Sequence, residues 1–158
     1  MALLITHGLR NSGEDPVHTP EGLKQIQRVV ASLTLPIGMV VIGTGWRFQQ
    51  MFKLLYDAGK VGKDVPCRLT PFCGGAEGFD PPSTIILPNS GTCQLKEYIG
   101  LGSGFGFDPW QFVNSFQGDT LFLAGGELLT ALGVEKPSKG ALYGIDHAER
   151  VCHLISQG

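Results

Sequence analysis

The sequence predicts an α/β fold of three layers, in which a mostly parallel sheet carries helices on both faces. Short apolar runs of strand length alternate with helical patterns along the chain, and no internal repeat or linker interrupts that order. Several of the apolar runs also end in polar or glycine-rich loops. With 158 residues the chain has the usual size of one domain, so we expect a single domain over residues 1–158.

The first half of the chain is predicted to form strand, helix, strand, helix. An apolar run over residues 2–6 predicts a strand that ends in a loop at His7. Thr19-Pro20-Glu21 then combines a helix cap, a first-turn proline and an acidic residue at the positive end of the helix dipole. The helix that starts there has an apolar stripe, which consists of Leu23, Ile26, Val29, Val30 and Leu33. A second strand is predicted over residues 39–42, and a second helix over residues 48–56.

The second half of the chain has a less regular pattern. Residues 64–108 are rich in glycine and proline, and only residues 84–87 predict a strand there. The remaining predicted elements are a short helix from Asp108-Pro109 to residue 116, a strand at 120–124, a helix at 127–132, and a closing hairpin of strands at 141–146 and 151–155.

Charge, cysteine usage and the N-terminus limit the classes of partner and compartment. A net charge of −2 provides no basic field, so we expect neither nucleic acid nor a membrane as a partner. The four cysteines lack the paired spacing of a zinc site and the density of a disulfide scaffold, which favours free thiols in a reducing compartment. Without a basic leader or a long apolar run at the N-terminus, the chain is expected to be cytoplasmic.

Metal and dinucleotide cofactors are not expected. His18, His147 and His153 lack ligand-like spacing to one another or to a cysteine, so we expect surface or hairpin positions for them rather than metal binding. Gly43-x-Gly45 follows a predicted strand, but Phe48 replaces the third glycine of a dinucleotide-binding fingerprint.

Three polar or glycine-rich segments follow three of the predicted strands. These segments begin at Thr6, Gly43 and Ala124. Ligands of open parallel sheets bind beyond the carboxyl ends of the strands, so we expect His7, Arg47 and Gly125 to lie at the same edge of one sheet. An imidazole together with the guanidiniums of Arg10 and Arg47 has the composition of a phosphate site. If the strands are not neighbours, the chain has another α/β fold and these residues need not meet.

These motifs resemble those of the histidine phosphatase, or phosphoglycerate mutase-like, superfamily. The shared features are an N-terminal strand ending in His-Gly, a Thr-Pro-Glu-Gly helix start, an arginine opening the next helix, a Phe-Cys-Gly-Gly-Ala-Glu-Gly segment at residues 72–78 similar to the family's Phe-Gly-x-x-Glu-Gly, and a late strand–helix unit at 121–132. The resemblance spans most of the chain except residues 79–107. It implies a phosphoglycerate mutase-like fold. It also implies an enzyme that needs no cofactor and that hydrolyses or transfers a phosphoryl group through a phosphohistidine. The expected substrate is a phosphorylated small molecule or a phosphoprotein.

The resemblance implies a role for four residues. His7 matches the nucleophile, and the alternative is a hydrogen-bonded histidine in a loop at a strand end. Arg47 matches the second phosphate-binding arginine, and Arg10 matches an arginine of the acid phosphatase branch, although the proline that follows there is absent. The alternative for both is a solvated surface arginine. Glu77 matches a glutamate at the pocket rim and is the candidate replacement acid, or else an exposed loop carboxylate.

Three positions depart from the family pattern. The arginine before the nucleophile is Thr6, the late histidine falls at Gly125, and the acidic position before the Phe-Gly segment falls near Thr70. Each change removes a charge or a hydrogen-bond donor, and one such loss commonly costs a few kcal/mol of transition-state stabilisation. The sequence is therefore consistent with a weakly active phosphatase, or with an inactive relative that binds a phosphorylated ligand or a protein partner.

Overall fold

A computed structural model of the chain shows thirteen secondary-structure elements within its described part. The described residues are 2–12, 18–34, 36–62, 65–70, 72–74 and 108–158, together with the backbone of 84–87, 91–94 and 97–98. The helices are α1 (Pro20–Ala31), α2 (Trp46–Asp57), α3 (Pro109–Asn114) and α4 (Gly126–Ala131). The strands are β1 (Ala2–Thr6), β2 (Met39–Ile42), β3 (Cys67–Leu69), β4 (Thr84–Leu87), β5 (Gly91–Gln94), β6 (Glu97–Tyr98), β7 (Thr120–Ala124), β8 (Ala141–Asp146) and β9 (Val151–Gln157).

Seven strands form one mostly parallel sheet, in the order β6-β3-β2-β7-β1-β8-β9. The five strands from β6 to β1 are parallel to one another. The hairpin of β8 and β9 extends the sheet beside β1 through antiparallel pairs, and β4 pairs with β5 in a separate two-stranded sheet. The mostly parallel sheet predicted from the sequence is therefore confirmed.

Helices cover both faces of this sheet, which confirms the predicted three layers. Side chains alternate between the faces because successive residues of a strand point in opposite directions. On one face, Leu3, Val40 and Leu121 pack with the buried residues of α1 and α2. On the other face, Leu4 and Phe122 pack with the buried residues of α3 and α4. The central strands are thus buried on both sides, as their continuous apolar sequences require.

Most predicted elements occur within one or two residues of their expected bounds. β1, β2, β4, β7 and β8 match the prediction, and Thr19 caps α1 by accepting a hydrogen bond from the Gly22 amide. α2 begins two residues earlier than predicted, at Trp46, because the extended Gly45 serves as its N-cap. β9 continues two residues further, to Gln157. Strands β3, β5 and β6 were not predicted; in β3 the central Arg68 interrupts the apolar pattern.

The loop after β1 packs directly on the first turn of α1. A Cβ atom at Gly22 would lie 2.0 Å from the carbonyl oxygen of Leu9, and one at Gly8 would lie 2.6 Å from that of Gly22. The Thr19 amide also donates to the Leu9 carbonyl at 3.0 Å. Backbone therefore lies against backbone at this point, and only glycine fits at either position.

The Gly22→Ala variant should be destabilised by about 2 kcal/mol, a typical cost of overpacking. Helix propensity alone favours alanine over glycine by about 1 kcal/mol, so the direction of the change separates the two effects. Denaturant unfolding monitored by circular dichroism measures it. Gly62→Ala is the control, because a Cβ atom there meets no atom within 4 Å. Equal stability of Gly22→Ala and the wild type would show that α1 does not press on this loop.

Candidate active site

The three expected site segments meet at one edge of the sheet. β7 lies between β1 and β2, and all three strands run parallel, so the loops that follow them emerge side by side. The His7 amide donates to the Ala124 carbonyl at 3.2 Å. A Cβ atom at Gly125 would lie 3.8 Å from Cδ2 of His7. As expected from the sequence, His7 and Gly125 are neighbours at this edge.

His7 is buried and held in one tautomer. Its side chain is 8% exposed, and Nδ1 lies 2.9 Å from the carbonyl oxygen of Gly8. A carbonyl oxygen only accepts, so Nδ1 carries the proton and donates it to this bond. Nε2 is then left with a lone pair, at 3.9 Å from the position that a Cβ atom at Gly125 would take. An imidazole in this state is a nucleophile at Nε2.

The surroundings of His7 keep its ring uncharged at neutral pH. Burial lowers the pKa of His7 to about 4, and the charge of Arg47 and the neighbouring His18 and Arg10 act in the same direction. The hydrogen bond to the Gly8 carbonyl opposes this shift and is outweighed. At pH 7 the ring is therefore available as a neutral base or nucleophile.

Arg47 shares the site with His7 through Phe48. Arg47 is the second residue of α2 and is half-buried, with Cζ 4.4 Å from the centre of the Phe48 ring. The same ring meets the His7 imidazole edge-on, with 6.1 Å between ring centres. The guanidinium therefore lies at the N-terminal end of α2, where the helix dipole is positive, and its charge adds to that of the dipole. Such an end is suited to bind an anion.

Residues 72–74 connect the loops that follow β2 and β7. The Gly74 carbonyl accepts from the Thr44 amide at 2.9 Å, and the Cys73 carbonyl accepts from the Gly125 amide at 2.7 Å. Gly74 has a φ of +142°, and a Cβ atom there would lie 2.6 Å from Cζ of Phe48. Residues 72–74 of the predicted Phe-Gly-like segment thus reach the site. Their carbonyls hold the loop after β2 and the loop after β7 at a fixed distance from each other.

The altered positions Thr6 and Thr70 have structural hydrogen bonds. Thr6 is buried, and its hydroxyl donates to the Ser138 carbonyl at 2.7 Å and accepts from the Ala141 amide at 3.0 Å. The hydroxyl of Thr70, also buried, accepts from the Phe72 amide at 3.2 Å. These groups hold loops in place and contribute no charge to the pocket.

Of the other two candidate residues, one has an exposed side chain and the other lies outside the described residues. The side chain of Arg10 is exposed, and its backbone forms an isolated antiparallel bridge with His18. Glu77 lies outside the described residues, so its proposed role as an acid stays a prediction.

His18 belongs to the site, and the surface position expected for it is wrong. The side chain is 4% exposed, and its ring centre lies 6.2 Å from that of His7. The bridge to Arg10 brings it back to the end of β1. Burial lowers the pKa of His18, and Arg47 adds to the effect. A usable signal was its place immediately before the helix cap Thr19, since that position often packs inward at a helix start.

His147 and His153 lie in the closing hairpin as predicted.

A cleft of about 370 Å³ opens beside His7. Its lining combines hydroxyl groups, one carboxylate, one ammonium group and a proline ring, from Thr6, His7, Gly126, Glu127, Thr130, Pro137, Ser138 and Lys139. Glu127, in the first turn of α4, is exposed and contributes its carboxylate to this lining. The cleft is large enough for a small organic group attached to a phosphate at His7.

The structure also bears on what the sequence predicts for the cysteines, for metal binding and for membrane-spanning helices. Cys67 and Cys73 are buried and Cys152 is half-buried, and all three are thiols rather than half-cystines, whereas the side chain of Cys93 lies outside the described residues. Within the described part of the chain, no three His, Cys, Asp or Glu side chains are grouped closely enough to bind a metal ion. No helix in that same part has the length and apolar character needed to cross a bilayer.

The fold is that of solved histidine phosphatases. The ecdysone phosphate phosphatase from Bombix mori in complex with tungstate aligns with a TM-score of 0.60 at 14% identity, over 98% of this chain and 91% of that one. A phosphoserine phosphatase from Entamoeba histolytica in complex with 3-phosphoglyceric acid gives 0.57 at 14%, over 99% and 95%. The protein histidine phosphatase SixA complexed with tungstate gives 0.55 at 15%, over 99% and 94%.

These alignments confirm the phosphoglycerate mutase-like fold that the motifs implied, over almost the whole chain. No protein-family model matches the sequence. No curated protein sequence matches it either.

The free energy of unfolding should decrease as the pH is lowered from 7 towards 4. The pKa of His7 is about 4 in the folded chain and near 6.5 when unfolded, so the unfolded chain binds more protons between these values. His7 alone then contributes up to about 3 kcal/mol of the loss, and His18 acts in the same direction. Urea unfolding at several pH values measures the slope. His7→Asn should flatten it, and an unchanged slope in that variant would contradict the burial of a neutral His7.

Proposed function

We propose that this chain, which has the histidine phosphatase fold, is a divergent member of that superfamily that forms a phosphohistidine at Nε2 of His7. It then hydrolyses or transfers the phosphoryl group with low activity. One observation carries the proposal: a buried, neutral imidazole, with its Nδ1 proton bound to the Gly8 carbonyl, packs against the same Phe48 ring as the guanidinium of Arg47. A phosphorylated small molecule or a phosphoprotein is the proposed substrate.

In the proposed first step, the lone pair on Nε2 of His7 attacks phosphorus and the bond from phosphorus to the leaving oxygen breaks. Arg47 binds the non-bridging oxygens, where a guanidinium provides two parallel hydrogen bonds and neutralises charge. The Gly8 carbonyl, already bonded to Nδ1–H, stabilises the positive charge that develops on the ring. The leaving oxygen needs a proton, for which Glu77 is the candidate donor on the resemblance alone.

In the second step, water attacks the phosphohistidine and releases phosphate, or another hydroxyl group receives the phosphoryl group. The residue that gave a proton in the first step accepts one in the second, which restores the starting state. The organic part of the substrate occupies the cleft beside Thr6, where Glu127 and Lys139 provide charges of both signs. Most of the exposed surface of the cleft is apolar, so the cleft favours an organic leaving group with a few polar substituents that reach these charges.

A second candidate function is the binding of a phosphorylated ligand or protein partner without turnover. Two hydrogen bonds favour it. The Gly125 amide is bonded to the Cys73 carbonyl, and the Thr6 hydroxyl donates to the Ser138 carbonyl. Neither of these donors is directed at a phosphate. At position 6 a structural hydroxyl stands where the resemblance implies an arginine, and at position 125 a residue without a side chain stands where it implies a histidine.

Covalent labelling tests the proposed intermediate directly. Incubation with phosphoramidate, a small phosphoryl donor, should add one phosphoryl group to the His7 peptide, detected by mass spectrometry at alkaline pH where phosphohistidine survives. His7→Ala should not be labelled, and Arg47→Leu should be labelled about tenfold more slowly, because one guanidinium contact is worth at least about 1.4 kcal/mol. Labelling that is absent from the wild type, or that persists in His7→Ala, would contradict the proposal.

Gly125→His should raise kcat/KM for p-nitrophenyl phosphate at least about tenfold, or roughly 1.4 kcal/mol of barrier. Gly125 has an extended backbone that any residue adopts, and an added Cβ atom would meet no atom closer than 3.8 Å, so the first atom of a side chain is accommodated beside His7. Gly125→Ala is the matched control and should give no gain. Adding Thr6→Arg should raise activity further only if the lost bonds to Ser138 and Ala141 do not displace that loop.

The same variants separate the two candidate functions. A wild type that binds vanadate through His7 and Arg47, but gains no turnover from Gly125→His, supports ligand binding without catalysis. If Gly125→His gains activity and a further His7→Ala change abolishes that gain, the enzyme is supported. If neither the wild type nor Gly125→His binds vanadate, there is no phosphate site at this edge of the sheet.

A further inference from the structure

Gly8 is bound by two imidazoles, one at each of its backbone polar groups. Its carbonyl accepts from Nδ1–H of His7 at 2.9 Å, and its amide donates to Nε2 of His18, also at 2.9 Å. Gly22 restricts the same residue from outside, since its carbonyl oxygen would be 2.6 Å from a Cβ atom at Gly8. The carbonyl that sets the tautomer of His7 is therefore held by the amide bond to His18 and by this close packing.

His18 is itself held in the tautomer that can accept this bond. Its Nδ1 lies 3.0 Å from Oε1 of Gln50, and its backbone amide donates to the same oxygen at 2.9 Å. A side-chain amide oxygen only accepts, so Nδ1 carries the proton and Nε2 has a lone pair for the Gly8 amide. His18 is 4% exposed, so water cannot readily replace it as the partner of the Gly8 amide. Loss of the bond would leave that amide buried without an acceptor, which costs free energy.

Gln50 connects this chain of hydrogen bonds to the helix that carries Arg47. Both residues belong to α2 and are three positions apart, which places them on neighbouring turns of one helix face. The path from His7 through Gly8 and His18 to Gln50 thus joins the loop after β1 to α2 by polar contacts alone. It spans the two elements that hold the nucleophile and the phosphate-binding arginine.

We propose that His18, supported by Gln50, is a positioning residue for His7. Through Gly8 it keeps the proton of His7 on Nδ1 and aims Nε2 at the phosphate position beside Arg47. The inference rests on the proposed function for its catalytic consequence, but the effect on the tautomer of His7 is a property of the folded chain and is tested separately.

Long-range proton–nitrogen NMR of labelled histidine tests the tautomer. Wild-type His7 should show the Nδ1-protonated form, and His18→Leu, which removes the acceptor for the Gly8 amide, should show a mixture. His18→Gln provides a new amide oxygen in its place and should restore the wild-type spectrum. His153→Leu is the matched control, because His153 is exposed on β9 and the same change there should leave His7 unaltered. An unchanged His7 tautomer in folded His18→Leu would overturn the proposal.

The rate of phosphoramidate labelling gives the catalytic readout. His18→Leu should lower the maximal labelling rate about tenfold and change the half-saturating donor concentration less than about twofold, because Arg47 remains to bind the phosphoryl group. His18→Gln should recover most of the rate, and full-rate labelling of His18→Leu would count against a positioning role. If His18→Leu does not fold, Gln50→Leu replaces it, since His18 then loses the bond that fixes its own tautomer. If His18→Leu changes the tautomer of His7 but phosphoramidate labels neither the variants nor the wild type, the proposed function is refuted and the positioning role is retained.

Discussion

The pairing of β7 with β1 on one side and β2 on the other is the constraint on which the site depends. It aligns Thr6 with Ala124 and Ile42 with Leu123, so three loops leave the sheet at one level. His7, Gly125 and the start of α2 then lie together at this edge of the sheet. The Cys73 carbonyl accepts a hydrogen bond from the Gly125 amide, and the Gly74 carbonyl accepts one from the Thr44 amide, so the loops after β7 and β2 are tied together. Because β7 is buried on both faces, a shift by one residue would exchange the side chains that fill the two cores, and close packing disfavours such an exchange.

Within that frame, burial and charge determine the state of His7. The ring is surrounded by Phe48, His18 and backbone, so the charged form is disfavoured and the pKa is lowered to about 4. Arg47 contributes in the same direction while it also attracts an anion. The positive charge of Arg47 disfavours a proton on the imidazole and would favour an anion bound beside it, so these two electrostatic effects have the same sign. What the site lacks is the additional positive charge that an arginine at position 6 and a histidine at position 125 would bring.

The sequence predicted the elements that have continuous apolar runs and clear end signals. β1, β2 and β7 consist of apolar residues followed by His-Gly, Gly-Thr-Gly or Gly-Gly, and their bounds matched the structure. β3 was missed because Arg68 breaks the run and the strand exists through pairing with β2 rather than through its own pattern. His18 was placed at the surface because its partners, Gly8 and Gln50, are 10 and 32 residues away in the chain. Likewise, no local signal shows that the hydroxyl of Thr6 binds Ser138, 132 residues later.

The central claim is that Nε2 of His7 and the guanidinium of Arg47 form one oxyanion site. A crystal structure of the wild-type protein soaked in tungstate tests it most directly, since this ion adopts a geometry close to that of a phosphoryl group bound to nitrogen. The account predicts tungsten within bonding distance of Nε2, with at least one oxygen hydrogen-bonded to Arg47 and Nδ1 still bound to the Gly8 carbonyl. Tungstate at Nδ1, or only at sites that exclude His7, would contradict it.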